Sequence, residues 1–181
     1  MKKIALVAGL AAAVAGTASA DVTVTFTNQT WTGFNFTDLS AAYGGFSGTL
    51  TGVSVNATLN ASTNFTYADD ICVYVDVAPL SSGGLLQVGG YSNLGATQRL
   101  FWANGGSSAP GTTVISSRSV NAISFSGTSA DATIWLGNGY GASGTSGTWT
   151  GSITLIGVNA VPAPGAIALV GLAGLAGRRR R

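Results

Sequence analysis

Aspartates are the only acidic side chains in this chain, and they are the first residues that could perform chemistry. Asp69, Asp70 and Asp76 lie close together in the sequence, and Asp131 follows later. A pair of carboxylates can cleave a glycosidic bond when one acts as general acid and the other as base or nucleophile. An aspartate-dependent glycoside hydrolase is therefore one hypothesis.

Other catalytic groups are missing between residues 21 and 160. This stretch contains no histidine, glutamate or lysine. No Ser-His-Asp or Cys-His arrangement can activate a nucleophile there, and the usual nitrogen ligand of zinc is absent. The aspartates are more simply interpreted as solvated carboxylates, with Asp76 on the outer face of a strand beside Cys72 and Tyr74. We therefore expect that the protein is not an enzyme.

The Asp69-Asp70 pair could also contribute to a structural calcium site. Calcium binds carboxylate and backbone carbonyl oxygens, and this pair lies where a loop meets a predicted strand. The spacing matches no EF-hand loop, so further ligands would have to come from residues distant in the sequence. We expect no cofactor, and Asp69 and Asp70 are the candidate Ca²⁺ ligands if a metal binds.

Aromatic side chains beside Gly-rich turns could bind a sugar. A flat ring stacks on the face of a pyranose while nearby polar side chains make hydrogen bonds. Tyr91 and Tyr140 lie next to such turns, so we expect them to be exposed and name them as candidate carbohydrate contacts. Trp102 and Trp149 lie within strand patterns and are expected to pack in the interior.

Alternating apolar and polar residues predict the strands that must position these side chains. Val22, Val24 and Phe26 alternate with threonines, which is typical of a half-buried strand. Similar patterns predict about nine strands, at residues 22–27, 31–36, 53–59, 71–77, 85–88, 99–102, 120–125, 132–136 and 149–155. No window has a convincing helical period. Cys72, the single cysteine, lies within one of these strands and is expected to be buried.

Gly-rich turns separate the predicted strands. Short strands at fairly regular spacing, divided by such turns, are typical of an all-β protein. The predicted fold is an antiparallel β-sandwich of jelly-roll type, formed by residues 21–160 as one domain. The Gly-rich segment 137–147, which contains Tyr140, is predicted to be a mobile surface loop.

The charge of the predicted domain excludes one class of partner. Two arginines, Arg99 and Arg118, face six aspartates within residues 21–160, so the formal charge of the domain is −4. Binding to nucleic acid requires a basic face. We therefore expect no nucleic-acid partner.

The N-terminus has the three regions of a secretory signal peptide. Lys2 and Lys3 precede an apolar run at residues 4–14, and Ala18 and Ala20 form a small-x-small cleavage site. Cleavage after Ala20 would remove residues 1–20 and leave Asp21 as the mature N-terminus. The chain is therefore predicted to be exported across the inner membrane.

The C-terminal tail, residues 161–181, has three parts. Pro162 and Pro164 lack a backbone N–H and disfavour helix, so residues 161–165 should be extended. Residues 166–177 are all Ala, Ile, Leu, Val or Gly, and the uncharged run from residue 161 would span about 25 Å as a helix. This predicts a short transmembrane helix, because a hydrocarbon core is roughly 30 Å thick. The cationic cluster Arg178, Arg179, Arg180 and Arg181 would stay on the cytoplasmic side.

This tail resembles the bacterial PEP-CTERM sorting signals. The matching residues are the Pro box Val161, Pro162, Ala163 and Pro164, then the apolar run 166–177 and the four terminal arginines. The resemblance implies that the tail holds the chain transiently in the inner membrane until an exosortase, a membrane-embedded cysteine protease, cuts near the Pro box. The usual box carries Glu where this chain has Ala163, which leaves the exosortase subtype open.

The expected function follows from these two ends and the domain between them. We expect a cell-surface or extracellular-matrix protein with a structural or adhesive role in an exopolysaccharide layer, a setting that the family resemblance suggests. A carbohydrate-binding module is the alternative, and an aspartate-dependent glycoside hydrolase is a third hypothesis. The expected partners are the exosortase, the inner membrane during sorting, and an exopolysaccharide.

Overall fold

The computed structural model describes residues 21–76, 83–128 and 130–161. Within these ranges, nine strands account for most of the structure: β1 (Val22–Thr32), β2 (Phe36–Asp38), β3 (Phe46–Thr63), β4 (Ile71–Asp76), β5 (Leu86–Val88), β6 (Gln98–Leu100), β7 (Thr113–Ser126), β8 (Thr133–Asn138) and β9 (Ser146–Ala160). The helices are α1 (Leu39–Tyr43) and a 3₁₀-helix (Ala68–Asp70). The predicted β-rich protein is confirmed. The predicted signal peptide, residues 1–20, and residues 162–181 of the sorting tail lie outside the described residues.

The alternating pattern located most of the strands, but one predicted strand is wrong. Residues 31–36 do not form a single strand, because β1 continues through Thr32 and the chain turns at Gly33, whose φ of 56° favours glycine. The next strand begins at Phe36. The predicted surface loop 137–147 is also shorter than expected, since β8 ends at Asn138 and β9 begins at Ser146.

The strands form two sheets. One has four strands in the order β1-β9-β3-β7, and the other has five in the order β2-β8-β4-β5-β6. The pairing is antiparallel except between β5 and β6, which are parallel. The wholly antiparallel sheet predicted from the sequence is therefore wrong at this one pair. The reason is that residues 89–97 carry the chain back along β5 instead of reversing it in a tight turn.

A shared apolar core joins the two sheets. Val53 and Val55 of β3 and Ile153 of β9 belong to the same buried cluster as Val73 of β4 and Ile134 of β8. Burying one such side chain fully stabilises the fold by about 1.5–3 kcal/mol relative to leaving it exposed. The two sheets are therefore packed face to face.

The five-stranded sheet is also covered on its second face. All six residues of β4 are buried, and Cys72 and Tyr74 form a second apolar cluster with Leu94 from the connection between β5 and β6. The hydroxyl of Tyr74 donates to the carbonyl of Leu94 at 2.9 Å. Cys72 is buried as predicted, and this burial raises the pKa of its thiol.

The outer face of the four-stranded sheet is rich in hydroxyl groups. Cross-strand pairs of hydroxyl side chains join Thr30 to Thr148 at 2.7 Å and Thr58 to Thr113 at 2.8 Å. Ile115 lies on the same face of β7 and is 60% exposed. This face therefore supplies surface positions at which substitutions leave the core intact.

The ordered domain extends to the first residue of the Pro box. The backbone N–H of Val161 donates to the carbonyl of Gly45 at 3.0 Å. Across residues 21–76, 83–128 and 130–161, no helix has the length and apolar character needed to cross a membrane.

Candidate functional site

A cavity of about 320 Å³ opens at one end of the five-stranded sheet. At this end β4 begins and β5, β6 and β8 finish, because Ile71 pairs with Asn138 and Val88 pairs with both Val73 and Leu100. The connections that leave these strands bring aromatic and acidic side chains together. We call this site the aromatic cavity; its lining consists of Phe65, Tyr67, Asp69, Asp70, Gly90, Tyr91, Phe101, Trp102 and Tyr140.

The two tyrosines named from the sequence meet at this cavity. The rings of Tyr91 and Tyr140 are 5.6 Å apart and nearly perpendicular, a preferred geometry for aromatic pairs. Tyr91 is 74% exposed, as predicted, and Tyr140 is partly buried. The two residues are distant in the sequence and come from different connections, so the fold brings them together.

Two glycines make that meeting possible. Gly90 and Gly139 precede the two tyrosines and lie back to back: a Cβ added to Gly139 would be 2.6 Å from the Cα of Gly90. Real side chains essentially never approach so closely. The Gly-rich sequence around Tyr91 and Tyr140 therefore permits two backbones to touch, in addition to allowing turns.

Asp70 holds two of the aromatic residues in place. Its Oδ2 accepts a hydrogen bond from the backbone N–H of Tyr67 at 2.7 Å, and its Oδ1 accepts one from the backbone N–H of Tyr91 at 3.0 Å. The Asp70 side chain is buried. One buried carboxylate thus fixes the relative positions of two residues that come from separate connections.

Other buried polar side chains hold the remaining backbone of the site. Asn138 accepts from the backbone N–H of Tyr140 at 3.0 Å and donates to the Tyr140 carbonyl at 3.2 Å. Gln87 donates to the carbonyl of Ser92 at 2.8 Å and accepts from the N–H of Leu94 at 2.9 Å. The cavity is therefore largely pre-formed, which lowers the entropy cost of binding.

Phe65 contributes an exposed ring at the cost of backbone strain. Asn64 and Phe65 adopt positive φ values of 51° and 61°, which are uncommon for non-glycine residues and cost on the order of 1–3 kcal/mol. Phe65 is 76% exposed, so its ring gains little from burial. A strained backbone that presents an exposed ring at a cavity is typical of a binding site.

Three aromatic residues of the cavity were not identified from the sequence. Phe65, Tyr67 and Phe101 lie in short connections with no turn motif that sets them apart, although each follows the end of a strand or precedes the 3₁₀-helix. Trp102 and Trp149 are buried as expected. Trp102 also lines the aromatic cavity, where its indole N–H donates to the carbonyl of Ile71 at 2.8 Å.

The carboxylates of the cavity lie in a partly desolvated environment. Burial, with a smaller contribution from the nearby Asp69 charge, raises the pKa of Asp70 to about 6, although its two backbone hydrogen bonds oppose the shift. Burial also raises the pKa of Asp69. Arg99 lies over the ring of Phe101, 4.5 Å from its centroid, and donates to the carbonyl of Tyr91.

Asp76 and Asp131 do not line the aromatic cavity. Asp76 is buried on β4, so its predicted position as a solvated outer-face carboxylate is wrong. Asp131 lines a separate depression with Asp38 and accepts from the backbone N–H groups of residues 126, 127 and 128. Asp38 in turn accepts from the backbone N–H of Ala41 at 2.8 Å, so both carboxylates of this depression bind nearby backbone N–H groups.

The two candidate calcium ligands, Asp69 and Asp70, both line the aromatic cavity. Both carboxylate oxygens of Asp70 accept backbone N–H groups, whereas Ca²⁺ takes six to eight oxygen ligands. The described part of the chain holds no group of three or more His, Cys, Asp or Glu side chains that could surround a metal ion.

We expect the stability of the domain to decrease as Asp70 ionises. The folded state holds the Asp70 proton more tightly than the unfolded state, whose pKa is near 3.8. The stabilising contribution is therefore complete below that value and is lost as pH rises through about 6. Urea unfolding should show a fall of roughly 1–3 kcal/mol between about pH 4 and pH 7.

The Asp70→Asn variant is the control for this pH dependence. Its amide can accept only one of the two backbone N–H groups, so it should be less stable than wild type by about 1–3 kcal/mol at low pH. It should also lose most of the slope between about pH 4 and pH 7. An unchanged slope in the variant would assign the pH dependence to another group, of which Asp69 is the first candidate.

The aromatic cavity combines the features that a sugar site requires. Exposed rings can stack on the apolar face of a pyranose, and the adjacent carboxylate and backbone groups can accept or donate hydrogen bonds to its hydroxyls. The comparisons with known proteins add no further constraint on the function. No protein family, no curated protein and no solved structure matches this chain.

Proposed function

We propose that this protein is exported to the cell surface or extracellular matrix and adheres there to a polysaccharide through the aromatic cavity. The observation that carries the proposal is the convergence of Tyr91 and Tyr140, whose rings are 5.6 Å apart at the mouth of a cavity of about 320 Å³. That volume lies at the lower end of the range of roughly 300–1,000 Å³ usual for small-molecule sites. A site of this size suits one or two sugar units of a longer polymer.

The chemistry of the lining supports a sugar over a purely apolar ligand. Tyr67, Tyr91 and Phe101 are all exposed, and a monomeric protein rarely leaves a cluster of large rings in water without a partner. The carboxylate of Asp69 and the tyrosine hydroxyls give the cavity a polar edge. Rings with polar neighbours are what a pyranose needs, because its faces are apolar and its rim carries hydroxyls.

Export and sorting are the sequence-based part of the proposal. The signal peptide at residues 1–20, the Pro box at residues 161–164 and the terminal arginines at residues 178–181 support delivery through the inner membrane and cleavage by an exosortase. The adhesive domain would then act at the cell surface or in the matrix. Within an exopolysaccharide layer, such a domain would hold to the polymer and need no catalytic group.

The jelly-roll type of the sandwich is also part of the proposal. The supporting observation is a nested series of antiparallel pairs: β1 with β9, β2 with β8, β3 with β7 and β4 with β5. A long hairpin folded over itself gives the same nested order. Two Greek keys that share two sheets produce such an order. The parallel strand β6 is an addition after β5.

The test is binding of the secreted protein to the exopolysaccharide of the producing cells. We expect saturable binding by wild type and a loss of at least about tenfold in affinity for Tyr91→Ala and for Tyr140→Ala, since exposed aromatic anchors dominate such sites. The intact mass of the same preparation shows whether residues 1–20 and the terminal arginines have been removed.

Ile115→Ala is the matched control for these variants. It also removes a large exposed apolar side chain, but from the outer face of the four-stranded sheet. Its affinity should equal that of wild type. The carbohydrate proposal is wrong if wild type does not bind, or if both tyrosine variants bind as well as Ile115→Ala.

A further inference from the structure

We propose that the sugar recognised by the aromatic cavity carries a free amino group, whose ammonium pairs with Asp69 beside the aromatic rings. The ligand class is an amino sugar with an unacetylated amine, within a polymer or oligomer. This deepens the proposed function and rests on it. The argument comes from the different roles of two adjacent carboxylates and from the aromatic rings beside them.

Asp69 and Asp70 both line the cavity, but only one carboxylate is committed to the fold. Each oxygen of Asp70 accepts a backbone N–H, from Tyr67 and Tyr91. The backbone N–H of Asp69 donates to the carbonyl of Gly105 at 3.2 Å. The Asp69 carboxylate has a hydrogen bond with its own backbone, and the residue is partly exposed. Asp69 is therefore the carboxylate placed to meet a ligand.

Two arginines lie beside the residues that line the cavity. The guanidinium of Arg99 lies on the ring of Phe101 and donates to the carbonyl of Tyr91. Arg118 donates to the carbonyl of Phe101. Both guanidinium groups keep their charge, but these contacts are with a ring and with backbone carbonyls rather than with the Asp69 carboxylate. The charge of −4 over residues 21–160 adds to the attraction of a cation.

The rings also favour a cation over a neutral substituent. A cation within about 6 Å of an aromatic centroid is attracted to the negative face of the ring, and the Arg99–Phe101 contact at 4.5 Å shows this interaction beside the cavity. An ammonium between Asp69 and the ring of Tyr67 or Tyr91 would gain both interactions. An N-acetyl group would instead exclude water from the carboxylate without offering it an opposite charge. Removing water from an unpaired charge costs free energy.

The experiment compares two oligosaccharides of the same linkage and length, glucosamine oligomers and N-acetylglucosamine oligomers, at a pH at which the amine is protonated. Titration calorimetry with the full secreted protein should give at least about tenfold tighter binding of the amine form. In Asp69→Asn, the ratio of the two affinities should fall to about one. Asp21→Asn is the matched control, because it removes the same charge far from the cavity and keeps the oxygen that accepts from the N–H of Gly157.

The outcomes separate this inference from the proposed function. Equal affinity of wild type for the two oligomers, or a preference that survives in Asp69→Asn, overturns the amino-sugar inference and leaves polysaccharide binding standing. If Asp21→Asn lost the preference for the amine form as much as Asp69→Asn, the preference would come from the overall charge of the domain. That result would also overturn the amino-sugar inference. Failure to bind either oligomer or the native exopolysaccharide overturns both. The ratio of the wild-type affinities for the two oligomers tests the inference even if Asp69→Asn does not fold.

Discussion

Replacing Trp149 by alanine should lower the free energy of unfolding by about 3–5 kcal/mol, the largest loss we expect from a single core substitution. Trp149 is 0% exposed, and its ring lies 5.8 Å from that of Trp31. Its indole N–H donates to the carbonyl of Ala68 at 3.1 Å. The substitution would leave both a cavity and an unpaired carbonyl in the interior.

The effect should reach the aromatic cavity as well as the core. Ala68 begins the 3₁₀-helix that carries Asp69 and Asp70, so Trp149 links the four-stranded sheet to the acidic side of the cavity. Thermal unfolding should show a midpoint lowered by roughly 10–20 °C. The partial variant Trp149→Phe, which keeps an aromatic ring, should lose only about 1–3 kcal/mol.

Ile115→Ala provides the surface comparison for this prediction. Ile115 is 60% exposed on the opposite face of the same sheet, and its truncation should change stability by no more than about 0.5 kcal/mol. If Trp149→Ala were as stable as Ile115→Ala, the indole could not occupy the packed interior position described above.

Gly139→Ala should remove polysaccharide binding by separating the loops that carry the two tyrosines. A Cβ at this position would lie 2.6 Å from the Cα of Gly90 and 2.9 Å from the Cβ of Cys72. Neither neighbour is the end of a flexible side chain, so the backbone itself must move. We expect a cost of about 1–3 kcal/mol in stability and a loss of at least tenfold, about 1.4 kcal/mol, in affinity.

Gly106→Ala is the control for a glycine at the same end of the domain. A Cβ there would meet nothing within 4 Å, so stability and affinity should match wild type. The two variants are compared by urea unfolding and by binding to the exopolysaccharide. Near-ultraviolet circular dichroism should also report the changed surroundings of Tyr91 and Tyr140 in Gly139→Ala alone. Unimpaired binding by Gly139→Ala would show that the Tyr91–Tyr140 contact does not matter for recognition.

Local patterns sufficed to predict most of the fold because strand formation depends on short-range periodicity. The alternation of Val22, Val24 and Phe26 with threonines reappears as β1, and that of Ile153 and Leu155 reappears as β9. The same reasoning failed where a distant segment changed the surroundings of a strand. Cys72 and Tyr74 alternate as outward-facing residues, yet they are buried because Leu94, from the connection between β5 and β6, packs on that face of β4.

Composition alone determined which side chains were available to the site. The absence of His, Glu and Lys from residues 21–160 restricted the chemistry to aspartates and aromatic rings. The Gly-rich context of Tyr91 and Tyr140 indicated connections between strands, and the expected exposure is confirmed for Tyr91, whereas Tyr140 is partly buried. This context could not show that the loops touch through Gly90 and Gly139, because a glycine in a tight turn and a glycine in a backbone contact look alike in sequence.

The sequence by itself determined a β-rich domain, its charge and its candidate binding residues, since all of these follow from residue types and their local spacing. Only the tertiary structure decided that Asp70 braces Tyr67 and Tyr91 and that Asp69 faces the cavity. Adjacent aspartates are equivalent in a one-dimensional pattern. They become different when the 3₁₀-helix turns one carboxylate toward two backbone N–H groups and leaves the other beside the rings.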